Sequence, residues 1–206
     1  MPANFNAAAP YYDKLSRLVY GSALMDAQMY LLQHIRDGDK ILIVGGGTGA
    51  ILEKITERFS SGLAITYVEI AEKMMALSQQ RNVGNNVVTF INKGIEDVPA
   101  DNSYDVVITP FLFDNFTEET FRHMFAHIDG FLRPNGLWLT ASFQQTDKWW
   151  QRLLLQSMFT FFRLVCSIEG SQLPKINEQF AAHRYALTDE RTFFRKFVLA
   201  SVYKKQ

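Results

Sequence analysis

Cysteine is nearly missing: Cys166 stands alone among 206 residues. One thiol can close no internal disulfide and build no cysteine-cluster metal site, and it fits a reducing compartment. Net charge is missing as well. The 21 basic and 21 acidic residues cancel, so the chain lacks the broad positive field that draws proteins to nucleic acid, and no nucleic-acid partner is expected. Long apolar runs are absent too. The most apolar stretch, LLLQSMFTFFRLVCSI at 153–168, contains Gln156 and Arg163 and is shorter than the roughly 20 residues of a spanning helix, so no stable membrane insertion is expected. The opening MPANFNAAAPYYDK lacks the basic start and apolar core of a secretory signal. The expected location is cytoplasmic. No repeat, low-complexity tract or linker divides the chain.

What is present reads as an ordinary globular chain, 48% hydrophobic, of a length that suits one domain. After a loose arm at 1–9, Pro10 can open a helix, and Tyr11, Leu15, Leu18 and Val19 recur at helical spacing until Gly21. A second helix is expected at about 22–36, ended by Asp37-Gly38. Strands at 40–44, 63–69, 87–92, 104–109 and 137–142 then alternate with helices at 48–60, 71–82 and 117–132. KILIV at 40–44 is apolar throughout, the mark of a strand buried on both faces of a parallel sheet. Pro134-Asn135-Gly136 reads as a turn before the fifth strand. Alternation with short connections predicts a doubly wound α/β sheet. The last third differs: a long helix at 147–167, a short one near 177–183, then strands Tyr185–Phe194 and Phe197–Tyr203 around a tight turn at Arg195-Lys196. Residues 189–194 also fit a helix.

Between the first strand and the helix after it stands ILIVGGGTGAILE, residues 41–53. Two templates fit it. Gly45-x-Gly47-x-x-Ala50 satisfies the dinucleotide fingerprint; Gly45-x-Gly47-x-Gly49 satisfies the loop of S-adenosylmethionine (SAM) methyltransferases. Glu69 closes the second strand. In this topology an acid there lies at the carboxyl edge of the sheet beside the loop, where a carboxylate can accept hydrogen bonds from both hydroxyls of a ribose. Three features favour SAM over NAD. Some 38 residues of helix precede the first strand, the length leaves little room for a second mononucleotide half, and the chain closes on a hairpin.

In these stretches the chain resembles the class I SAM-dependent methyltransferases across about residues 10–204. ILIVGGGTG is similar to their first motif, which implies cofactor contacts at Gly45, Gly46, Gly47 and Gly49. YVEIAEKMM at 67–75 resembles the second, which implies Glu69 on the ribose and Ile70 and Met74 near the adenine. NKGIEDVP at 92–99 resembles the third, edging the adenine with Gly94 and Ile95. YDVVITP at 104–110 resembles the fourth strand, whose end, Thr109 and Pro110, would lie beside the methionine part. FLRPNGLWLTASF at 131–143 resembles the helix end, turn and fifth strand that follow. YYDKLSRLVYG at 11–21 resembles an N-terminal cap in which a tyrosine approaches the methionine tail, so Tyr11, Tyr12 and Tyr20 become candidates, Tyr20 toward the cofactor and Tyr11 toward the substrate. The resemblance implies a Rossmann-like, mainly parallel seven-stranded sheet with an antiparallel C-terminal hairpin. It divides into a helical cap (1–38), a SAM-binding core (39–142), a helical substrate-side insertion (143–183) and the hairpin (184–204).

Two positions depart from the family pattern. Ile43 stands where an acid usually supports the loop, and Gly94 where an aspartate often receives the adenine amino group. A charge-assisted bond is worth about 1.5–3 kcal/mol, so losing one weakens binding by about tenfold or more. The activity implied is in-line methyl transfer to a small molecule with S-adenosylhomocysteine as product, for which positioning and water exclusion matter most. FLFDNF at 111–116 falls on the substrate side. Asp114 there can orient a substrate or accept a proton, or belong only to a helix start, where Asn115 or Thr117 before Glu118-Glu119 looks like the cap; Phe111 and Phe113 either pack or line an apolar pocket. His123 and His127 lie four apart on a helix, as a metal pair does, but surface positions explain them, and no metal is expected. Trp149-Trp150 fits a helix anchor over the sheet. The wide apolar face of 147–167 needs a partner: it packs on the sheet, or serves as a substrate lid, a homodimer contact or a transient membrane contact. Two other readings stay open: an NAD-dependent oxidoreductase, and a non-catalytic SAM-fold binding module.

Overall fold

The computed structural model describes residues 5–145 and 147–206; residues 1–4 of the expected arm and Thr146 lie outside the described residues. Seven strands are formed: β1 (Lys40–Val44), β2 (Ser61–Val68), β3 (Asn85–Ile91), β4 (Tyr104–Pro110), β5 (Leu132–Phe143), β6 (Tyr185–Phe193) and β7 (Val198–Lys205). They make one sheet in the order β3-β2-β1-β4-β5-β7-β6. The first five are parallel; β7 runs antiparallel between β5 and β6. Strand order reverses at β1, which pairs with β2 on one side and β4 on the other. Such a switch point opens a crevice beyond the carboxyl ends of the strands.

Alternation along β1 sorts its side chains into two cores. Ile41 and Ile43 pack with Ile51, Leu52 and Ile55 of helix α3 (Ala50–Arg58) and with Leu31 of α2 (Ala23–Leu31). Leu42 and Val44 face the aromatic layer of Phe121, Phe125 and Trp138 around α5 (Glu118–Asp129). Thr117 caps α5, its side chain accepting from Thr120 N at 3.2 Å, and Glu118 and Glu119 sit in the first turn, where acids oppose the helix dipole. Helix α4 (Glu72–Ser78) follows β2, α1 (Tyr12–Tyr20) and α6 (Trp149–Cys166) lie together, and α7 (Ile176–Ala182) precedes β6. No described helix is long and apolar enough to cross a membrane.

The structure corrects several sequence expectations. The arm is not loose over residues 5–9: Ala8 and Ala9 are buried, and Phe5 packs 5.7 Å from Phe162 of α6. Residues Pro10 and Tyr11 are turn, and α1 opens at Tyr12. Pro134-Asn135-Gly136 does not precede the fifth strand but lies inside β5. Tyr104 pairs with Leu132 and Val106 already with Leu137, so the extra residues form a bulge, where proline is tolerated because no ladder bond is needed from it. Residues 189–193 are strand, paired with 198–202. The expected substrate-side insertion also divides. α6 covers the site end, but α7 belongs to the aromatic core: Phe180 stacks on Tyr203 at 3.7 Å and meets Trp138 edge-on at 5.1 Å. Trp150 does anchor α6, against Phe194 in the β6–β7 turn rather than over the sheet.

Candidate functional site

At the switch point a cavity of about 350 Å³ opens between the loop after β1, the ends of β2 and β4, and the cap, within the size range of small-molecule sites. The loop turns through positive φ at Gly45, Gly47 and Gly49, a conformation that glycine enters without steric cost. Gly45 N donates to Val68 O at 2.9 Å. A Cβ at Gly46 would come within 2.5 Å of the Tyr67 ring, so the loop lies directly on that side chain. Tyr67 Oη donates to Gly47 O at 2.9 Å. Ile43, the position without its usual acid, is the in-register partner of Tyr67 and is wholly buried in the same core. A tyrosine hydroxyl from β2 thus supports the loop where an acid from β1 is lacking. Sequence reading missed this because it depends on strand register.

Glu69 follows β2 and turns its carboxylate to the cavity. Oε2 accepts from Gly47 N at 3.0 Å and Oε1 from Ala71 N at 2.8 Å. Each oxygen keeps a lone pair for a further donor. Burial pushes the Glu69 carboxyl above its ordinary range, against the lowering effect of those backbone bonds. Among the described residues two more acids line the cavity, Glu96 and Glu169, against a single cation, Lys93. Glu96 stands close over Gly94: a Cβ at Gly94 would lie 2.6 Å from its carboxyl carbon. A carboxylate thus stands beside position 94 although the residue there carries none, and it belongs to an exposed, flexible side chain.

The cap is tied to the loop. Thr48 Oγ1 donates to Asp13 Oδ1 at 2.8 Å, Arg81 Nε donates to Thr48 O at 2.9 Å, and Arg81 Nη2 reaches Asp13 Oδ2 at 3.0 Å. This holds α1 down so that Tyr12 forms part of the cavity wall. The Tyr12 hydroxyl is pushed well above its ordinary pKa by burial first, then by the charges of Asp13, Glu69 and Asp114. Behind Tyr12 and Phe111 lies a second cavity of about 220 Å³ among α1, α2 and α6.

Residues 41–136, which hold the loop, Glu69 and β4, match the family described as "Methyltransferase domain". Over this segment the chain is similar to the methyltransferase domains of that family. The chain is 26% identical over 140 residues to malonyl-(acyl-carrier protein) O-methyltransferase 2 of Ilyobacter polytropus, across 68% of this chain and 52% of that one. It is 26% identical over 145 residues to the ubiquinone/menaquinone biosynthesis C-methyltransferase of Paraburkholderia phymatum, across 68% and 59%. The chain spans little more than half the length of these curated relatives. Among solved structures, the 1,6-didemethyltoxoflavin-N1-methyltransferase of Burkholderia thailandensis, with bound 1,6-didemethyltoxoflavin and S-adenosylhomocysteine, shares the fold. Its TM-score is 0.68 at 15% identity, over 96% of this chain and 84% of that one.

The structure brings together most of the residues expected at the site. Gly45, Gly47, Glu69, Ile70, Met74, Gly94, Ile95, Pro110 and Phe111 line the first cavity. Others stand elsewhere. Gly46 packs on Tyr67, and Gly49 closes on Ser78 as the cap of α3. Thr109 is buried, accepting from Trp138 Nε1 at 3.0 Å. Tyr11 is 70% exposed, one helical step from the wall that Tyr12 occupies. Tyr20 lies in the second cavity, its hydroxyl on Met158 Sδ at 3.4 Å; at eight residues beyond Tyr12 it is two turns too far along α1 to reach the first. Asp114 lines neither cavity and caps no helix. It is buried, Oδ2 accepts from Phe143 N at 3.1 Å, and Oδ1 has no partner among the described residues. Phe113 is core. His127 Nε2 lies 2.9 Å from Ile95 O and 3.0 Å from Val98 O, which accounts for it without a metal. Leu112 and Phe116 of the stretch expected on the substrate side also line the wall, whereas sequence reading missed Phe5 and Met124; no local pattern marks apolar residues that meet only through the fold.

Proposed function

We propose that this protein is a SAM-dependent methyltransferase acting on a small molecule. The charge of the first cavity supports this most directly. Three carboxylates and one ammonium line it, a surplus of acid that suits a sulfonium cation and repels the pyrophosphate of a dinucleotide. The antiparallel β7 is also foreign to the dinucleotide fold, so the NAD reading is set aside. Glu69 would accept from the ribose hydroxyls; Ile70, Met74 and Ile95 would flank the adenine; Glu96 would receive its amino group. Tyr12 and Phe111 would close the methionine end and keep water out. Bound there, SAM supplies a methyl group to the acceptor atom and leaves as the neutral thioether S-adenosylhomocysteine, while a protic acceptor gives its proton to water. The second cavity gives an acceptor room, which a non-catalytic module does not need. Cys166, buried and unpaired, fits a cytoplasmic setting.

Calorimetry with SAM and S-adenosylhomocysteine tests this reading. Binding is expected, and Glu69→Ala should weaken it about tenfold or more, the loss of charge-assisted bonds worth about 1.5–3 kcal/mol. No binding by the wild-type chain at millimolar ligand would overturn it.

A further inference from the structure

The second cavity has an unusual wall. Its side chains come from α1, α2, α6 and the ends of β4 and β5, and none of them is charged. Of its four polar side chains, Tyr12 belongs to the wall shared with the first cavity and the other three are committed within the protein. Ser16 Oγ donates to Asp13 O at 3.1 Å, Ser157 Oγ to Leu153 O at 2.8 Å, and Tyr20 Oη to Met158 Sδ at 3.4 Å. A sugar, nucleoside or amino acid placed there would bury polar groups without partners, at a cost of several kcal/mol relative to an apolar medium. Hydrocarbon would lose nothing.

The cavity adjoins the first across a shared wall. Tyr12 and Phe111 line both. Phe111 sits at the junction with φ 55°, a genuine outlier for a bulky residue, held by its N–H on Ala141 O at 2.7 Å. Strain of this kind persists where surrounding structure enforces it and clusters at ligand clamps. It turns the chain so that the Phe111 ring stands between the two spaces. The same two helices also carry exposed leucines, Leu18 on α1 at 83% and Leu164 on α6 at 82%.

Resting on the SAM reading above, we propose that the acceptor is a single-chain amphiphile: its aliphatic or prenyl tail occupies the second cavity, and its small uncharged head bears the methyl-accepting atom at the Tyr12–Phe111 junction. The wall recognises the tail by apolar burial alone, so affinity depends on chain length more than on head chemistry.

Straight-chain 1-alkanols from hexanol to dodecanol, titrated calorimetrically into the full chain preloaded with S-adenosylhomocysteine, test this. Each added methylene should tighten binding about fourfold until the cavity is full, after which affinity levels off. Leu154→Trp should move that plateau to shorter chains and Met158→Ala to longer ones, with thermal melts verifying the fold of each. If one variant fails to fold, the other still gives a signed shift. Affinity independent of chain length, or a plateau that neither variant moves, overturns the proposal while leaving cofactor binding intact. Failure of S-adenosylhomocysteine to bind at the preloading step overturns the SAM reading instead, and the inference with it.

Discussion

At Gly94 a missing side chain and a displaced one complete each other. The glycine is where family resemblance asks for an acid, and Glu96 fills the space that its absence leaves. Glu96→Ala should therefore weaken S-adenosylhomocysteine binding by about tenfold. Gly94→Asp alone should be tolerated, because the backbone there is ordinary and the new Cβ meets only the flexible end of the exposed Glu96 side chain. The double variant should recover part of what Glu96→Ala loses, because the new carboxylate takes over from the old one, so that titration calorimetry shows two effects that do not add. Asp114 makes a different prediction. Burial pushes its carboxyl up to about 7 from an ordinary value of 3.8, with the Phe143 N–H pulling the other way. A raised acid binds its proton more tightly when folded, so its stabilising effect is complete below pH 3.8 and is lost as pH rises through about 7. The loss amounts to at most about 4 kcal/mol. Denaturation of the wild type across that window should show stability falling with pH from this group, and Asp114→Asn should flatten the curve. The glycine loop and Glu69 were legible because their chemistry is local in sequence. Tyr67, Glu96 and Tyr12 were less so, because each works across a strand register, a vacant Cβ or a helix rotation.

Among the elements, α1 matters most to access. It walls both cavities through Tyr12, and its link to the loop is the cluster Asp13, Thr48 and Arg81. Arg81 is about one-quarter exposed and Asp13 about half, so solvent screens the ion pair and leaves it worth about 0.2–1 kcal/mol. With the bond to the Thr48 carbonyl the tie comes to about 1–2 kcal/mol. Arg81→Ala should lower amide-exchange protection across Tyr12–Tyr20 by roughly 5–30-fold, with β1 and β2 unchanged. Equal loss throughout the sheet would show that Arg81 serves global stability instead. Elements were read well where periodicity decides them, as in β1 and α5. They were misread where tertiary pairing overrides a turn signal: Pro134-Asn135-Gly136 has every local mark of a turn, yet β4 pairs with residues on both sides of it.

For the molecule as a whole, the alternation of strands and helices was enough to anticipate a doubly wound sheet with an antiparallel hairpin, since parallel neighbours need crossovers and short ones leave few topologies. The destination of α7 was not legible; its seven residues carry too little pattern to say which face of the sheet takes Phe180. The strand order has one more result, in time rather than space. β7 lies between β5 and β6 although it is synthesised after both. From Phe143 to Lys205 a ribosome working at about 5–20 residues per second needs roughly 3–12 s. Throughout that interval β5 presents an open, apolar edge, the kind of surface that recruits another nascent strand. Yield in cells should thus depend on how quickly this one insertion is made, and a chaperone that shields the β5 edge would guard the step at which the nascent chain is most exposed.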